Sequence, residues 1–244
     1  IRENFRFNID IEKAVFDEQT ATWKVYAKNG KTFTSNIIIS ATGALTDPKY
    51  PEIKGLDKFK GKLIHTARWD KNYDLSGKKV AVIGTGATSV QLVPTIAPKV
   101  SQLYVFQRTP IWIFPKPDAS IPESIQTIFS KLPLVQNGIR KLTDSITETV
   151  MVTGVVNYRQ MPFIVKTLEK GCLQYLKSQV KDETLRKKLT PNYGFGCKRP
   201  SFSSNYYAAF NRPNVELITE SIQEITKDGI VTSDGKERKI DTLI

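Results

Sequence analysis

The sequence predicts an α/β fold, and three patterns support this prediction. A short apolar strand at 80–83, a glycine turn, a helix at 87–97 and a second strand at 103–107 follow in the order of a βαβ unit. Residues 121–189 have helical periodicity instead. Both ends of the chain alternate apolar and polar residues around Asn-Gly or Asp-Gly turns, which is typical of β-meanders. We therefore expect a Rossmann-like domain that contains a helical insertion and is flanked by β-rich segments.

The first forty residues are expected to form strands within the segments FRFNIDI, TWKVYAK and KTFTSNIIIS, with a turn at Asn29-Gly30. The run Ile37–Ile39 is apolar throughout, which predicts that the last strand is buried on both faces. It ends in Ala41, Thr42 and Gly43, small residues that allow a sharp turn or the close approach of a ligand. Residues 44–58 are rich in proline and glycine and lack periodicity, so we interpret them as a linker.

The last thirty residues repeat the pattern of the first forty. The segments VELITESIQEIT, DGIVTSDG and KIDTLI predict a strand, an Asp234-Gly235 turn and a rising strand that stops at Ile244. If the two ends are duplicates, the natural chain continues beyond Ile244 with something like Ala-Thr-Gly. We therefore expect the sequence to be an internal fragment, with a first nucleotide-binding half upstream of residue 1.

Composition argues against several classes of protein. The 244 residues include 36 Lys and Arg against 24 Asp and Glu, a formal net charge of +12. The basic residues are scattered among acidic ones, so we expect no nucleic-acid partner, although this charge suits a ligand that carries phosphates. Cys172 and Cys197 are far apart in sequence, which predicts no metal site and favours a reducing cytoplasm. No apolar run is long enough to span a bilayer, so no stable membrane anchor is expected.

A glycine motif follows the first strand of the βαβ unit and predicts dinucleotide binding. Its six residues match the GxGxx(G/A/S) pattern: Gly84, Thr85, Gly86, Ala87, Thr88 and Ser89. The first glycine permits the tight turn, the second allows a pyrophosphate to approach the backbone, and the third position needs a small residue for helix–strand packing. The helix that follows favours phosphate at its N-terminus through its free amides and its dipole.

The end of the second strand indicates which dinucleotide is bound. NAD sites usually have an acidic residue there, whereas this chain has Arg108 and Thr109, which suit the 2′-phosphate of NADP. The alternative is that Arg108 is an ordinary surface residue. Further along, Lys198 and Arg199 are adjacent cations in a glycine-bearing loop, an arrangement explained equally well by a bound anion between them or by a solvated basic turn.

His65 is the single histidine of the chain, and it lies in the stretch FKGKLIHTARWD. With the glycine motif, FQRTP and GCKRP, this stretch resembles the class B flavoprotein monooxygenases of the Baeyer–Villiger type. The pattern F-x-G-x-x-x-H-x-x-x-W-(P/D) of that family is met by five residues: Phe59, Gly61, His65, Trp69 and Asp70. The resemblance covers essentially the whole chain and is least specific in the helical insertion.

The resemblance implies a doubled-dinucleotide-domain flavoprotein with NADP(H) and FAD as cofactors. Residues 1–45 would end the FAD-binding half, 46–75 would link the domains, 76–120 and 190–244 would form the NADP-binding domain, and 121–189 would be the helical insertion. The glycine motif would hold the NADP pyrophosphate, and Arg108, Thr109 and Lys198 would surround the 2′-phosphate. Arg199 would be the catalytic arginine near flavin and nicotinamide. The remaining cofactor-binding candidates are Gln91, Ala41, Thr42 and Gly43.

The implied activity is insertion of one oxygen atom from O2 next to a ketone carbonyl, which gives an ester or lactone. Three alternative functions remain open: oxygenation of sulfur or nitrogen by the same peroxyflavin chemistry, a non-catalytic NADPH-binding module, and a disulfide oxidoreductase. The last is disfavoured because Cys172 and Cys197 are not a close redox pair. The sequence has no second GxGxxG motif for FAD, so we expect the fragment itself to hold no FAD and to be inactive. Its oligomeric state is not predicted.

Overall fold

The computed structural model describes residues 2–43, 45, 47–116, 118, 120–150, 152, 156–157 and 159–244. The chain forms two compact units, Ile1–Pro48 and Lys49–Ile244.

The first unit is a three-stranded antiparallel meander. Its strands are β1 (Ile11–Asp17), β2 (Thr22–Ala27) and β3 (Thr32–Ser35), paired in that order. The predicted turn is present, since Gly30 has φ of 81° and the amide of Lys31 donates to the Asn29 side chain at 3.2 Å. The first strand was expected within FRFNIDI, and this prediction is wrong because only residues from Ile11 onward lie opposite β2.

The run Ile37–Ile39 differs from its prediction as a buried strand. These residues have no strand geometry, and Ile37 and Ile39 are 75% and 87% exposed. An apolar run becomes a buried strand only when neighbouring strands supply its hydrogen bonds and cover its faces. No such neighbour pairs with it among the described residues, so the run stays extended on the surface.

The second unit is an α/β domain built on a parallel sheet. Its strands are β4 (Lys62–Leu63), β5 (Lys79–Ile83), β6 (Gln102–Phe106), β7 (Ile113–Phe114), β8 (Ser201–Phe202), β9 (Val215–Ile218), β10 (Ile222–Ile225), β11 (Gly229–Thr232), β12 (Glu237–Lys239) and β13 (Thr242–Leu243). Its helices are α1 (Ala87–Ile96), α2 (Glu123–Lys131), α3 (Pro133–Val150), α4 (Pro162–Gln179), α5 (Glu183–Leu189) and α6 (Tyr206–Ala209). No helix of the described residues is long and apolar enough to cross a membrane.

Five of these strands form one parallel sheet in the order β4-β13-β5-β6-β9. Read from the other edge, β9-β6-β5-β13 is the 3-2-1-4 order of a Rossmann half, which places a topological switch point between β5 and β13. The predicted βαβ unit is confirmed, because β5, α1 and β6 follow one another and β5 pairs with β6 in parallel. Ligands of such sheets bind at the carboxyl ends of the strands near the switch point.

Both faces of the sheet are covered by apolar side chains. On one face Val90 and Val93 of α1 pack with Val80 and Leu103, and all four side chains are at most 1% exposed. On the other face the cluster around Ile218 includes Ile225 and Ile230 of the antiparallel sheet β10-β11-β12 and the partly buried Phe59. Burial on both faces explains why these parallel strands are nearly continuous apolar runs.

The helical insertion is confirmed as helical, and its parts differ in burial. α4 buries Cys172 and Leu176, and Leu176 joins the cluster that also contains α1. α2 has no buried residue, and α3 carries the exposed apolar side chains of Leu134, Ile139 and Leu142. α5 also reaches this cluster through Leu189, so α4 and α5 are the described helices of this region that join the insertion to the core of the domain.

Candidate functional site

The glycine turn between β5 and α1 has the geometry that its sequence predicts. Gly84 has φ of 106°, a conformation that favours glycine, and its amide donates to the carbonyl of Phe106 at 2.9 Å. Gly86 is the N-cap residue of α1 and supplies no side-chain cap. A Cβ atom on Gly86 would meet nothing within 4 Å, so the backbone here is open to a ligand. The first turn of α1 contains no acidic residue that would repel an anion.

A cleft on one side of this turn gathers the predicted residues of the NADP site. It has a volume of about 790 Å³, and we call it the Arg108 cleft. Its lining includes six of the predicted residues: Gly84, Thr85, Gly86, Arg108, Thr109 and Lys198. The Thr85 hydroxyl donates to the carbonyl of Thr109 at 2.7 Å, which ties the glycine turn to the loop after β6. Arg108 is exposed and forms no ion pair with an acid among the described residues.

Lys198 reaches the same cleft from the loop that follows α5, and Tyr193 lies beneath it. The Lys198 ammonium is 5.0 Å from the centroid of the Tyr193 ring, within the range of a cation–π contact. The Tyr193 hydroxyl donates to the carbonyl of Pro110 at 2.9 Å, and the Trp112 indole donates to the carbonyl of Tyr193, also at 2.9 Å. Burial is the main cause that raises the pKa of the Tyr193 phenol, which keeps it protonated as a donor.

Arg199 enters a different cleft from its neighbour Lys198. This cleft has a volume of about 610 Å³ and is lined by Ala87, Val90, Gln91, Thr95, Lys116, Asp118, Arg199 and residues 200–205; we call it the Arg199 cleft. The structure therefore does not bring Lys198 and Arg199 to one anion between them. It brings Arg199 to the side of α1 that carries Gln91, whose amide donates to the carbonyl of Ala87 at 3.0 Å.

A third cleft, the His65 cleft, lies at the switch point between β5 and β13. It has a volume of about 660 Å³ and includes His65, Tyr50, Glu52, Leu243, Ile244, Gly84, Gly86, Ala87, Thr88 and Ser89 in its lining. The Nδ1 atom of His65 accepts a hydrogen bond from the amide of Ala67 at 3.2 Å, and the Tyr50 ring meets the imidazole edge-on at 5.5 Å between centroids. In the neutral ring the proton is therefore on Nε2.

Ser89 occupies the third position of the glycine motif and is buried within the first turn of α1. Its hydroxyl oxygen has no hydrogen-bond partner in the described part of the chain. The side chain is 7% exposed, so it fills the close approach of helix and strand that glycine usually occupies in this motif.

The other four residues of the family pattern, Phe59, Gly61, Trp69 and Asp70, line none of the three clefts. A Cβ on Gly61 would lie 2.4 Å from the tip of the Phe59 ring and 2.5 Å from the carbonyl oxygen of Asp241, so only glycine fits. Asp70 pairs with Lys62 at 2.6 Å, and this hydrogen bond is the main cause that lowers its pKa. These contacts place β4 beside β13 and so set His65 at the carboxyl edge of the sheet.

Four further residues that the sequence singled out are exposed to solvent. Ala41, Thr42 and Gly43 are exposed residues of the first unit, and Trp69 is exposed in the second. Sequence reasoning missed four residues that line the clefts: Tyr50, Glu52, Tyr193 and Glu220. Of these, only Tyr193 had a usable signal, as an aromatic residue close to two cations in one glycine-bearing loop.

Neither cysteine lines any of the three clefts. Cys172 packs in the cluster with Trp112 and Phe195, where burial raises its pKa from 9.0 to about 12. Cys197 is exposed, and both thiols are free. Among the described residues no group of three or more His, Cys, Asp or Glu side chains could hold a metal ion.

Known proteins share both the sequence and the fold of this chain. It is 40% identical over 244 residues to a Baeyer-Villiger monooxygenase of Pseudomonas aeruginosa and 37% identical to one of Streptomyces coelicolor, covering 100% of this chain and 46% of each relative. The crystal structure of OTEMO in complex with FAD and NADP matches with a TM-score of 0.80 at 32% identity, over 100% of this chain and 53% of that one. The chain thus spans about half the length of the curated relatives it matches.

A crystal structure of cyclohexanone monooxygenase in its open form has the same fold, with a TM-score of 0.81 at 27% identity over 100% of this chain and 54% of that one. The doubled-dinucleotide-domain architecture predicted from the sequence is confirmed by these structures. Residues 5–191 match the flavin-binding monooxygenase-like family. Because this match extends over well more than half of the sequence, the chain belongs to the flavin-binding monooxygenase-like family.

Proposed function

We propose that this chain carries the NADPH-binding domain and part of the FAD-binding domain of a Baeyer–Villiger-type monooxygenase. The observation that supports the proposal best is the Arg108 cleft, where the glycine turn and two cations from different loops line one space. The proposed substrates are small molecules: NADPH, O2 and a ketone, which is converted to an ester or lactone. Oxygenation of sulfur or nitrogen is the alternative reaction, and we place the protein in the cytoplasm.

The residues of the Arg108 cleft fit an NADP dinucleotide. The open space at Gly86 and the uncapped N-terminus of α1 suit a pyrophosphate, because free amides and the helix dipole favour negative charge. Arg108 and Lys198 provide the two positive charges for a 2′-phosphate, and Thr109 provides a hydroxyl. An NAD site would instead be expected to have an acid after β6, at the position that Arg108 and Thr109 occupy here.

We assign Arg199 the role of the catalytic cation. It is exposed in its own cleft and forms no ion pair with an acid among the described residues, so its charge is available to an anion that develops during the reaction. When bound, NADPH supplies a hydride and the flavin supplies the reaction with O2. The protein residues bind and orient these groups, exclude water, and place the guanidinium where negative charge builds up.

The remaining assignments rest on the family and on position in the fold. Ala41, Thr42 and Gly43 are proposed to approach FAD, and Gly43 has φ of 77° with open space around its Cβ position. The division into residues 1–45, 46–75, 76–120 with 190–244, and 121–189 is kept as the proposed domain organisation. His65 and its neighbours in the fingerprint are proposed to couple NADPH binding to domain orientation, because His65 lies at the switch point of the sheet.

Titration of the purified chain with NADPH and NADH tests the cofactor assignment. We expect the wild-type chain to bind NADPH more tightly than NADH. Arg108→Ala should weaken the binding of NADPH by about 10- to 100-fold, because it removes a charge-assisted hydrogen bond. The affinity for NADH should not change, because NADH lacks the 2′-phosphate. Arg140→Ala is the matched control, since Arg140 is also exposed but lies on α3. Equal binding of the two dinucleotides by the wild-type chain would contradict the assignment.

Product analysis of a longer enzyme, in which this chain is joined to the missing part of the FAD-binding domain, distinguishes the two oxygenation reactions. A ketone and a thioether are supplied side by side, and the ester or lactone is expected to exceed the sulfoxide. Predominant sulfoxide with no ester would favour the alternative and leave the NADPH assignment standing.

A further inference from the structure

The two cations of the Arg108 cleft come from loops that are far apart in sequence. Arg108 follows β6, whereas Lys198 lies 90 residues later, in the loop before β8. A lysine side chain is a flexible four-carbon stem with a single charged end, so its position depends on what holds it. Recognition of one phosphate by both residues therefore requires a contact that fixes the second loop against the first.

Tyr193 makes that contact in three ways. Its hydroxyl donates to the carbonyl of Pro110, two residues after Arg108. Its own carbonyl accepts a hydrogen bond from the Trp112 indole, which lies just before β7. The face of its ring supports the Lys198 ammonium at 5.0 Å. Tyr193 thus contacts the segment between β6 and β7 through its hydroxyl and its carbonyl, and the second cation through its ring.

The same contacts continue to the glycine turn. Thr85 donates its hydroxyl to the carbonyl of Thr109, and the next carbonyl, that of Pro110, accepts from Tyr193. The loop after β6 is therefore held from both sides, by the turn that faces the pyrophosphate and by the residue beneath Lys198. Two hydrogen bonds and one cation–π contact therefore connect the glycine turn, the loop that carries Arg108, and Lys198 before any ligand arrives. Such preorganisation lowers the cost of binding.

We infer that Tyr193 is a specificity-determining positioning residue that selects NADPH over NADH by holding Lys198 beside Arg108. This inference rests on the proposed function of the cleft. Tyr193 acts through Lys198, so its effect is confined to ligands that carry the 2′-phosphate. Its hydroxyl sets the distance between the two loops, and its ring sets the direction of the lysine.

Two substitutions separate the hydroxyl from the ring. Tyr193→Phe removes the bond to Pro110 and keeps the aromatic face, whereas Tyr193→Leu removes both. We expect NADPH affinity to fall by about threefold in the first variant and by about tenfold or more in the second, in line with the loss of one hydrogen bond and one cation–π contact. NADH affinity should remain at the wild-type value in both. Dissociation constants from fluorescence titration measure these effects without any turnover.

A double-mutant cycle shows whether Tyr193 acts through Lys198. In a Lys198→Ala background, Tyr193→Leu should cause no further loss of NADPH affinity, because the group it positions is already absent. A purely structural role would instead lower the affinity for both dinucleotides in either background. Tyr175→Phe is the matched control, since its hydroxyl also donates to a backbone carbonyl, that of Ser203 at 2.8 Å, but outside the Arg108 cleft.

The outcomes distinguish this inference from the proposed function. One outcome is that the wild-type chain prefers NADPH, and that this preference is lost in Arg108→Ala but kept in Tyr193→Leu. This result overturns the role of Tyr193 and leaves the cofactor assignment standing. Additive losses in the double mutant likewise overturn it. A wild-type chain without NADPH preference overturns the proposed cofactor assignment itself. The inference is supported if Tyr193→Leu lowers the affinity for NADPH but not for NADH, and if it lowers neither affinity further in the Lys198→Ala background.

Discussion

Gly84 and Gly86 are two residues apart, yet each is required for a different physical reason. Gly84 has φ of 106°, so any other residue there would be strained by about 1–3 kcal/mol whatever space surrounds it. Gly86 has φ of −71° and ψ of −179°, which every residue adopts, and its Cβ position is open. The local backbone conformation therefore depends on the first glycine, whereas the second matters only for the ligand that we propose to fill the open space.

This difference predicts that alanine substitution of Gly86 affects ligand binding, whereas alanine substitution of Gly84 affects stability. Gly86→Ala should leave the melting temperature unchanged. It should weaken the binding of both NADPH and NADH by about tenfold or more, because the added methyl group occupies the space of the pyrophosphate that the two dinucleotides share. Gly84→Ala should lower the melting temperature. Calorimetry and titration with both dinucleotides measure these effects. Unchanged NADH binding in Gly86→Ala would show that the pyrophosphate lies elsewhere.

At the residue scale, sequence reasoning succeeded where one local rule decides the outcome. The turn chemistry of Gly84 and the need for small side chains follow directly from the strand–turn–helix context. The separation of Lys198 from Arg199 could not be predicted, because two adjacent residues enter different clefts only once β7 and β8 pair and fix the loop. Tyr193 was missed for the same reason, since its partners Pro110 and Trp112 lie about 80 residues earlier.

At the scale of elements, β4 shows how a short strand positions a candidate functional residue. Phe59 packs against Gly61, the amide of Lys62 donates to the carbonyl of Asp241 at 2.9 Å, and β4 then runs parallel to β13. His65 follows directly at the carboxyl end of β4. The pattern of the histidine-containing stretch is therefore largely a set of packing requirements for adding one edge strand to the sheet.

Two separate glycine-to-alanine substitutions test this interpretation of β4. Gly61→Ala should lower the free energy of unfolding by about 1–3 kcal/mol, because the new methyl group would overlap the Asp241 carbonyl, which is backbone and cannot move aside cheaply. Gly138→Ala within α3 meets nothing within 4 Å and should instead stabilise by about 0.5–1 kcal/mol. Chemical denaturation measures both variants. Equal stability of Gly61→Ala and the wild-type chain would contradict the packing role.

The two apolar runs that follow the meanders behave differently for a reason that lies outside their own sequences. β13 follows the meander β10-β11-β12 and is inserted between β4 and β5, where Leu243 is 2% exposed. The run Ile37–Ile39 follows β1-β2-β3 in the same way but stays exposed. Both ends form a three-stranded antiparallel meander followed by an apolar run, but VELITESIQEIT, predicted as one strand, is divided into β9 and β10 of different sheets. Burial of each run depends on the strands that accept it, which periodicity does not reveal.

At the scale of the whole molecule, the candidate site belongs to one of the two units. The residues that line the Arg108, Arg199 and His65 clefts all lie between Lys49 and Ile244. The three apolar clusters of the second unit are also built from this range. The second unit therefore contains all the groups that we propose to bind NADP, and a core of its own to position them.

A chain that comprises residues 49–244 should therefore fold and retain NADPH binding. We expect its NADPH dissociation constant to lie within about twofold of that of the 244-residue chain, since a twofold change corresponds to only about 0.4 kcal/mol. The preference over NADH should also persist, and Arg108→Ala should abolish it in the shorter chain as in the longer one. Near-ultraviolet circular dichroism verifies native packing of the shorter chain before titration. A folded shorter chain that binds neither dinucleotide would show that residues 1–48 contribute to the site, and the three clefts of the second unit would then not be sufficient for recognition.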